Sequence, residues 1–344
     1  MSSARAATIA LALALLIAAM CLSPAEAAVR SYFIAADEVV WNYAPGGQDQ
    51  ISGGRVPPLP PSALGWRFRK VIYRAYTDAS FTTLASRPAS DAYQGLLGPT
   101  MRAVVGDTIA VRFKNNSRLP AGIAVAGLSA SPSGAVAPGA NHTYTWHVTA
   151  SAGPGAMDGT SVAWRYHCPV DENRDENTGM IGTVIVTRRG SAKADGSPSD
   201  VDREVPVLFT EMNESQSRLV DANIADPAIN PRHLGHRAPN FVDDNAFFAI
   251  DGYSYGTMPM VTVREGERTR WYVIVTRSGF DAHVPHWHGE TLLQNGMRTD
   301  AFQVQVDEIA VADMVPDNPG IWLFHCHIHG HLAAGMEARF KVVP

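Results

Sequence analysis

Residues 325–336 read His-Cys-His-Ile-His-Gly-His-Leu-Ala-Ala-Gly-Met. A thiolate, an imidazole and a thioether fall at Cys326, His331 and Met336, and two further imidazoles flank the cysteine. A trigonal His2Cys set with a weak axial methionine is the donor set of a blue-copper site. The second imidazole is available upstream at His283, within His283-Val284-Pro285-His286-Trp287-His288-Gly289. If Phe324 to His327 is a strand, successive side chains alternate between its faces. Cys326 then points into its own domain, while His325 and His327 point together the other way, toward a second metal position. Strand capping or core packing is the plainer explanation for these histidines. Against it, seven of the chain's twelve histidines crowd into the two short segments with one cysteine.

The N-terminus reads as a secretory leader over residues 1–27. Arg5 supplies the positive end, Ala7 to Leu22 an apolar stretch, and Ala25-Glu26-Ala27 a small-x-small cleavage site. The apolar run is short for a membrane span and no stop-transfer pattern follows it. Met20 before Cys21 lacks the small residue that a lipoprotein signal needs. Export to the periplasm or the medium is therefore expected. Only Cys168 and Cys326 remain beyond the leader, and a metal-bound Cys326 cannot join a disulfide, so the chain must rely on its own core. The net charge of −5 comes without a long basic run, which gives nucleic-acid binding no support.

Short β-rich runs separated by turn residues recur along the chain: Thr108–Phe113, Tyr144–Val148, Gly182–Thr187, Val205–Thr210, Met260–Val263 and Thr269–Val275. Helical periodicity is scarce, and the 23 prolines and 29 glycines suit a sandwich or barrel. The polar stretch 188–200 reads as a linker. Expected boundaries are a first domain over 28–190, a linker over 191–202 and a second domain over 203–344. Weak internal echoes support a duplication of one β domain. Val105-Gly106-Asp107 answers Glu265-Gly266-Glu267, and Trp164-Arg165-Tyr166-His167-Cys168 answers Trp322-Leu323-Phe324-His325-Cys326.

On these residues the chain resembles the two-domain multicopper oxidases, in their ceruloplasmin and hephaestin-like branch. Tyr32–Pro45, Gly95–Thr100 with Val105–Thr108, and Ala312–Gly320 leading into the His-Cys-His motif carry the likeness. The implied fold is all-β: two cupredoxin-like Greek-key β-sandwiches. The resemblance implies a type 1 copper at His283, Cys326, His331 and Met336. It further implies that His286, His288, His325 and His327 supply the second domain's share of a copper cluster between domains. In the two-domain family that cluster forms between subunits of a homotrimer, so a trimer is expected.

The first domain's share departs from the family pattern. Where the family has His-x-His-Gly, this chain has Ala124-Val125-Ala126-Gly127; where it has His-x-His, this chain has His167-Cys168-Pro169. Three of the eight expected cluster imidazoles are thus replaced by side chains without a donor atom. His167 remains as a ligand, contributed across a subunit boundary. A first-domain blue site would need Cys168 and Met180 plus histidines, and residues 169–179 contain none. Cys168 is therefore expected to be a small buried residue without metal. His142, His147, His233 and His236 are expected at the surface or in packing, and family spacing gives the ligand role to His331 rather than His329. Asp281 reads as a solvated loop carboxylate near His283, with guidance of a cationic reductant as the alternative.

The expected activity is a copper-dependent oxidase. A type 1 copper would accept electrons from a small molecule, a metal ion or a redox protein and pass them to an incomplete cluster, with dioxygen as a possible final acceptor. A non-enzymatic blue-copper carrier is the competing reading, and a nitrite-reductase-like enzyme a third.

Overall fold

The computed structural model describes residues 27–128, 134–276 and 281–344, so of the expected leader only Ala27 is described. The first half contributes β1 (Val29–Asn42), β2 (Arg67–Ala75), β3 (Met101–Val104), β4 (Thr108–Asn115), β5 (Ala124–Val125), β6 (Asn141–His147), β7 (Ser161–His167) and β8 (Ile181–Thr187). They form two four-stranded sheets, ordered β2-β1-β4-β6 and β3-β8-β7-β5. The second half contributes β9 (Arg203–Asn213), β10 (Ala246–Ile250), β11 (Val261–Arg264), β12 (Thr269–Val275), β13 (Pro285–Trp287), β14 (Leu292–Gln294), β15 (Met297–Thr299), β16 (Ile309–Met314), β17 (Gly320–Cys326) and β18 (Glu337–Val343). Its sheets run β10-β9-β12-β16-β14-β15 and β11-β18-β17-β13. Helices are short; among the described residues none is long and apolar enough to cross a membrane.

The halves repeat one topology. β1 pairs parallel with β4 as β9 does with β12, and β3 pairs parallel with β8 as β11 does with β18. The all-β, cupredoxin-like architecture is the one the sequence implied. Each sandwich closes on alternating inward residues: Ile109, Val111 and Phe113 on β4, Trp271, Val273 and Val275 on β12. Fully burying one such side chain stabilises the fold by about 1.5–3 kcal/mol.

Two strands are buried along their whole length, β8 and β12. Their inward residues fill their own sandwiches, while Ile185 of β8 and Tyr272 of β12 pack on each other's side of the boundary between halves. Strands covered on both faces lose the polar alternation of a half-exposed strand. That is why the strands carry the apolar runs Val184–Val186 and Trp271–Val275. Polar clamps span the same boundary. Ser161 and Tyr272 share a hydroxyl hydrogen bond of 2.7 Å, and Arg270 reaches Asp313 at 2.6 Å and Ser161 at 2.8 Å. Deeper still, Lys70 of β2 pairs with Glu214, with neither side chain exposed at all. The Lys70 ammonium also donates to the Asn177 carbonyl at 2.8 Å.

The polar stretch 188–200 is a packed turn rather than a loose tether. Lys193 N donates to Ser197 O at 2.7 Å and Ser199 N to Ser191 O at 2.8 Å. Thr187 and Arg30 clamp it from outside through the carbonyls of Gly196 and Ala194. Backbone pairing and long-range partners hold what composition alone would leave free.

Candidate metal centre

Cys326 ends β17, and its rung on β13 is Pro285. Two residues earlier, His283 exchanges both backbone hydrogen bonds with Val304, at 2.9 and 2.8 Å, which pins the imidazole beside the cysteine. The chain leaves β17 through the short helix His329–Ala333 and turns back, returning His331 to the same spot. The His283 and His331 Nδ1 atoms lie 3.8 and 3.5 Å from Cys326 Sγ and 3.2 Å from each other. Met336 closes the loop fully buried, its carbonyl accepting from Cys326 N at 3.1 Å. Gly335 makes that return possible. At φ +95 it sits 2.6 Å, measured from an added Cβ, against the Tyr255 ring, so no larger residue fits.

The electrostatics suit a metal. Burial, with His331 second, depresses His283 to about 3, and burial likewise lowers His331. Both rings are therefore neutral at ordinary pH and keep a free lone pair. Burial pushes the Cys326 thiol up, opposed by the Val284 amide, which donates to Sγ at 3.4 Å. A bound cation would reverse the thiol shift, because a coordinating thiol is deprotonated. Two imidazoles, a thiol and a thioether in one dry pocket fit copper, a metal that favours soft sulfur donors together with imidazole. Phe248 stacks on His331 at 4.6 Å between ring centroids, restricting its rotation.

On the opposite face of β17 a second group forms. His286 is the rung opposite His325. The His325 Nε2 lies 3.2 Å from His286 Nδ1 and 3.0 Å from His288 Nε2. The His325 Nδ1 donates to the Cys326 carbonyl at 2.9 Å, which fixes the tautomer and leaves Nε2 as the free donor atom. His327 stands outside this tight set, but its ring lies 5.0 Å from that of His286. Burial lowers both His325 and His288. Of this group His286 and His288 line a cavity of about 430 Å³ with Glu290, Arg298 and Asp300. The Asp300 carboxylate, 3.4 Å from His286 Nε2, is a neighbour that sequence spacing did not reveal.

His167 is not brought to these four histidines within the chain. It lies across the β5–β7 ladder from Ala124, 3.2 Å from Glu172, in a cavity of about 1050 Å³ between the halves. Arg165, Glu172 and Asp307 share that cavity, with Arg165 paired to Glu172 at 3.2 Å and to Asp307 at 2.6 Å. Glu172, five residues past His167 at the start of a helix, was visible in the sequence but carried no motif. Cys168 is fully buried, and His142, His147, His233, His236 and His329 are exposed. Asp281 is exposed too, yet its Oδ2 lies 3.7 Å from His331 Nε2. Burial, and then the charges of Asp281 and Asp243, raise the Glu211 carboxyl.

Comparison with known proteins agrees with this geometry. Two family models described as multicopper oxidase match residues 75–191 and 227–344. Hephaestin from Rattus norvegicus is 34% identical over 335 residues, covering 92% of this chain and 29% of that protein. A Mus musculus protein named Ferroxidase HEPHL1 is 33% identical over 341 residues, covering 93% of this chain and 29% of its own length. The chain thus spans about three-tenths of the length of these curated relatives. A solved multicopper oxidase superposes with a TM-score of 0.58 at 19% identity, over 91% of this chain and 89% of that one, a likeness of fold.

Proposed function

Because this chain belongs to the multicopper oxidase family, we propose that it is an exported copper-dependent oxidoreductase with its electron-accepting centre at His283, Cys326, His331 and Met336. The observation that carries this reading is the convergence of two neutral imidazole Nδ1 atoms on the buried Cys326 sulfur, at 3.8 and 3.5 Å. Copper held there supplies one-electron redox chemistry, which a thiolate-thioether-imidazole set favours with little rearrangement. The residues do the rest. Val284 N donates to the sulfur, Phe248 holds the His331 ring, and the surrounding core excludes water. His331 is the ligand nearest solvent-facing charge, through Asp281, so a reductant approaches there. The Asp281 carboxylate favours a cation, and a ferrous ion is the reductant we assign, in keeping with the name of the murine relative.

From Cys326 the backbone reaches His325 and His327 in one residue each way, and the His325 imidazole lies beside those of His286, His288 and His327. We assign these four, with His167 from a neighbouring copy in a homotrimer, to a reduced cluster that handles dioxygen. The proposed domains are 28–190 and 203–344, joined by 191–202. The specific observation favouring the rival reading, a copper protein without oxidase turnover, is the absence of donors at Ala124, Ala126 and Pro169. Copper loading tests the assignment of the first centre. The loaded protein should show the intense visible absorption of a thiolate–copper bond, and Cys326→Ser and His331→Ala should each abolish it. Persistence of that band in Cys326→Ser would move the centre elsewhere.

A further inference from the structure

The first half holds a second cysteine pocket on the same frame as the first. Ala124 opposes His167 as His286 opposes His325, so Cys168 stands where Cys326 stands. Ala121 exchanges both backbone hydrogen bonds with Val136, as His283 does with Val304. Backbone amides of Gly122 and Val170 serve the Cys168 sulfur, as those of Val284 and Ile328 serve Cys326. His167 pairs with Ile181 and His325 with Glu337, which puts Met180 at the place of Met336. Trp164 covers Gly127 as Trp322 covers Gly289, each ring 2.4 Å from an added Cβ. In both halves a short helix follows the cysteine and returns one polar side chain to it: His331 in the second, Asp175 in the first.

We propose that this pocket is a copper frame without its imidazoles, in which Ala121 and Asp175 occupy the two histidine positions while Cys168 and Met180 keep the thiol and thioether. All four residues are fully buried. The wild-type pocket is closed to a metal by its own pairing. Arg218 donates to Asp175 Oδ1 at 2.7 Å and Asp171 N to Oδ2 at 2.9 Å, and the Cys168 thiol is hydrogen-bonded to the same carboxylate. The guanidinium thus supplies the positive charge, and the thiol stays protonated. Volume has shifted as well. The Tyr144 hydroxyl lies 3.0 Å from an added Cβ at Gly122. One electron entry per chain follows, through the second half only.

The test works in a Cys326→Ser background, which silences the second-half site. Ala121→His with Asp175→His should add one copper per chain and create a visible thiolate–copper band. Adding Cys168→Ser should remove both. A second form, also carrying Tyr144→Ala, opens space for the new ring. The proposal is overturned if both forms fold, by circular dichroism and cooperative melting, yet take up no thiolate-bound copper. It is equally overturned if neither folds, since a retained frame must admit the side chains. Copper bound through Cys168 without either substitution would contradict the closed wild-type pocket.

Discussion

Ala124 lies directly opposite His167 across the β5–β7 ladder. The same rung in the second half joins His286 to His325, and there both partners carry imidazoles. On the proposed assignment, one methyl group marks where the first half gives up its share of a shared metal face. Placing histidine at Ala124, Ala126 and Pro169 together restores donors to that face. Dioxygen consumption by the copper-loaded triple variant should rise by about tenfold or more, equivalent to about 1.4 kcal/mol of barrier. Unchanged consumption with added copper bound would show that these positions do not face the cluster.

Removing copper should weaken the second half selectively. A ligand present at about one hundred times its Kd stabilises the native state by about 2.7 kcal/mol. Chelation should therefore lower thermal stability more in the wild type than in Cys326→Ser. Hydrogen exchange can localise the loss to β13, β17 and the loop to Met336.

Asp281 contributes charge rather than a ligand, being largely exposed and 3.7 Å from His331. Asp281→Asn should raise KM for ferrous ion severalfold and leave kcat and KM for a neutral phenol nearly unchanged. An equal loss with both reductants would indicate damage to the centre instead.

Glu337 follows Met336, and burial, then the Asp49 carboxylate, pushes its carboxyl from 4.5 up to about 7. The folded state then holds this proton more tightly than the unfolded chain. Its stabilising contribution is complete below about pH 4.5 and is lost as pH rises through about 7. Glu337→Gln should flatten that part of the stability profile, read from urea midpoints of copper-free protein. A slope identical to wild type would place the titration elsewhere.

Between the halves, Lys70→Met leaves Glu214 buried without its cation and should cost about 3–5 kcal/mol. The double variant Lys70→Met/Glu214→Leu removes the stranded charge and should be the more stable of the two. Chemical denaturation distinguishes the cases, and additive losses would mean that the pair is not coupled.

The two clusters of donor side chains were legible because their information is local. Strand alternation alone sends Cys326 one way and His325 and His327 the other, and the Trp-x-x-His-Cys echo disclosed the repeated sandwich. β8 and β12 were visible as β-rich runs, though not the fact that each covers the other half. What stayed hidden depends on partners distant in sequence. Asp175 closing on Arg218, Asp300 beside His286, and Lys70 against Glu214 bring together side chains whose separation in the chain carries no periodic signal. The order of the turn at 188–200 was hidden in the same way, since it comes from Arg30 and Thr187.

A complete second-half site facing a depleted first half is the central claim, and the copper content of the fully loaded wild-type chain tests it most directly. Metal analysis with electron paramagnetic resonance should find one thiolate-bound copper per chain and fewer than three others, with slow dioxygen turnover. Four coppers per chain with rapid dioxygen consumption would contradict it.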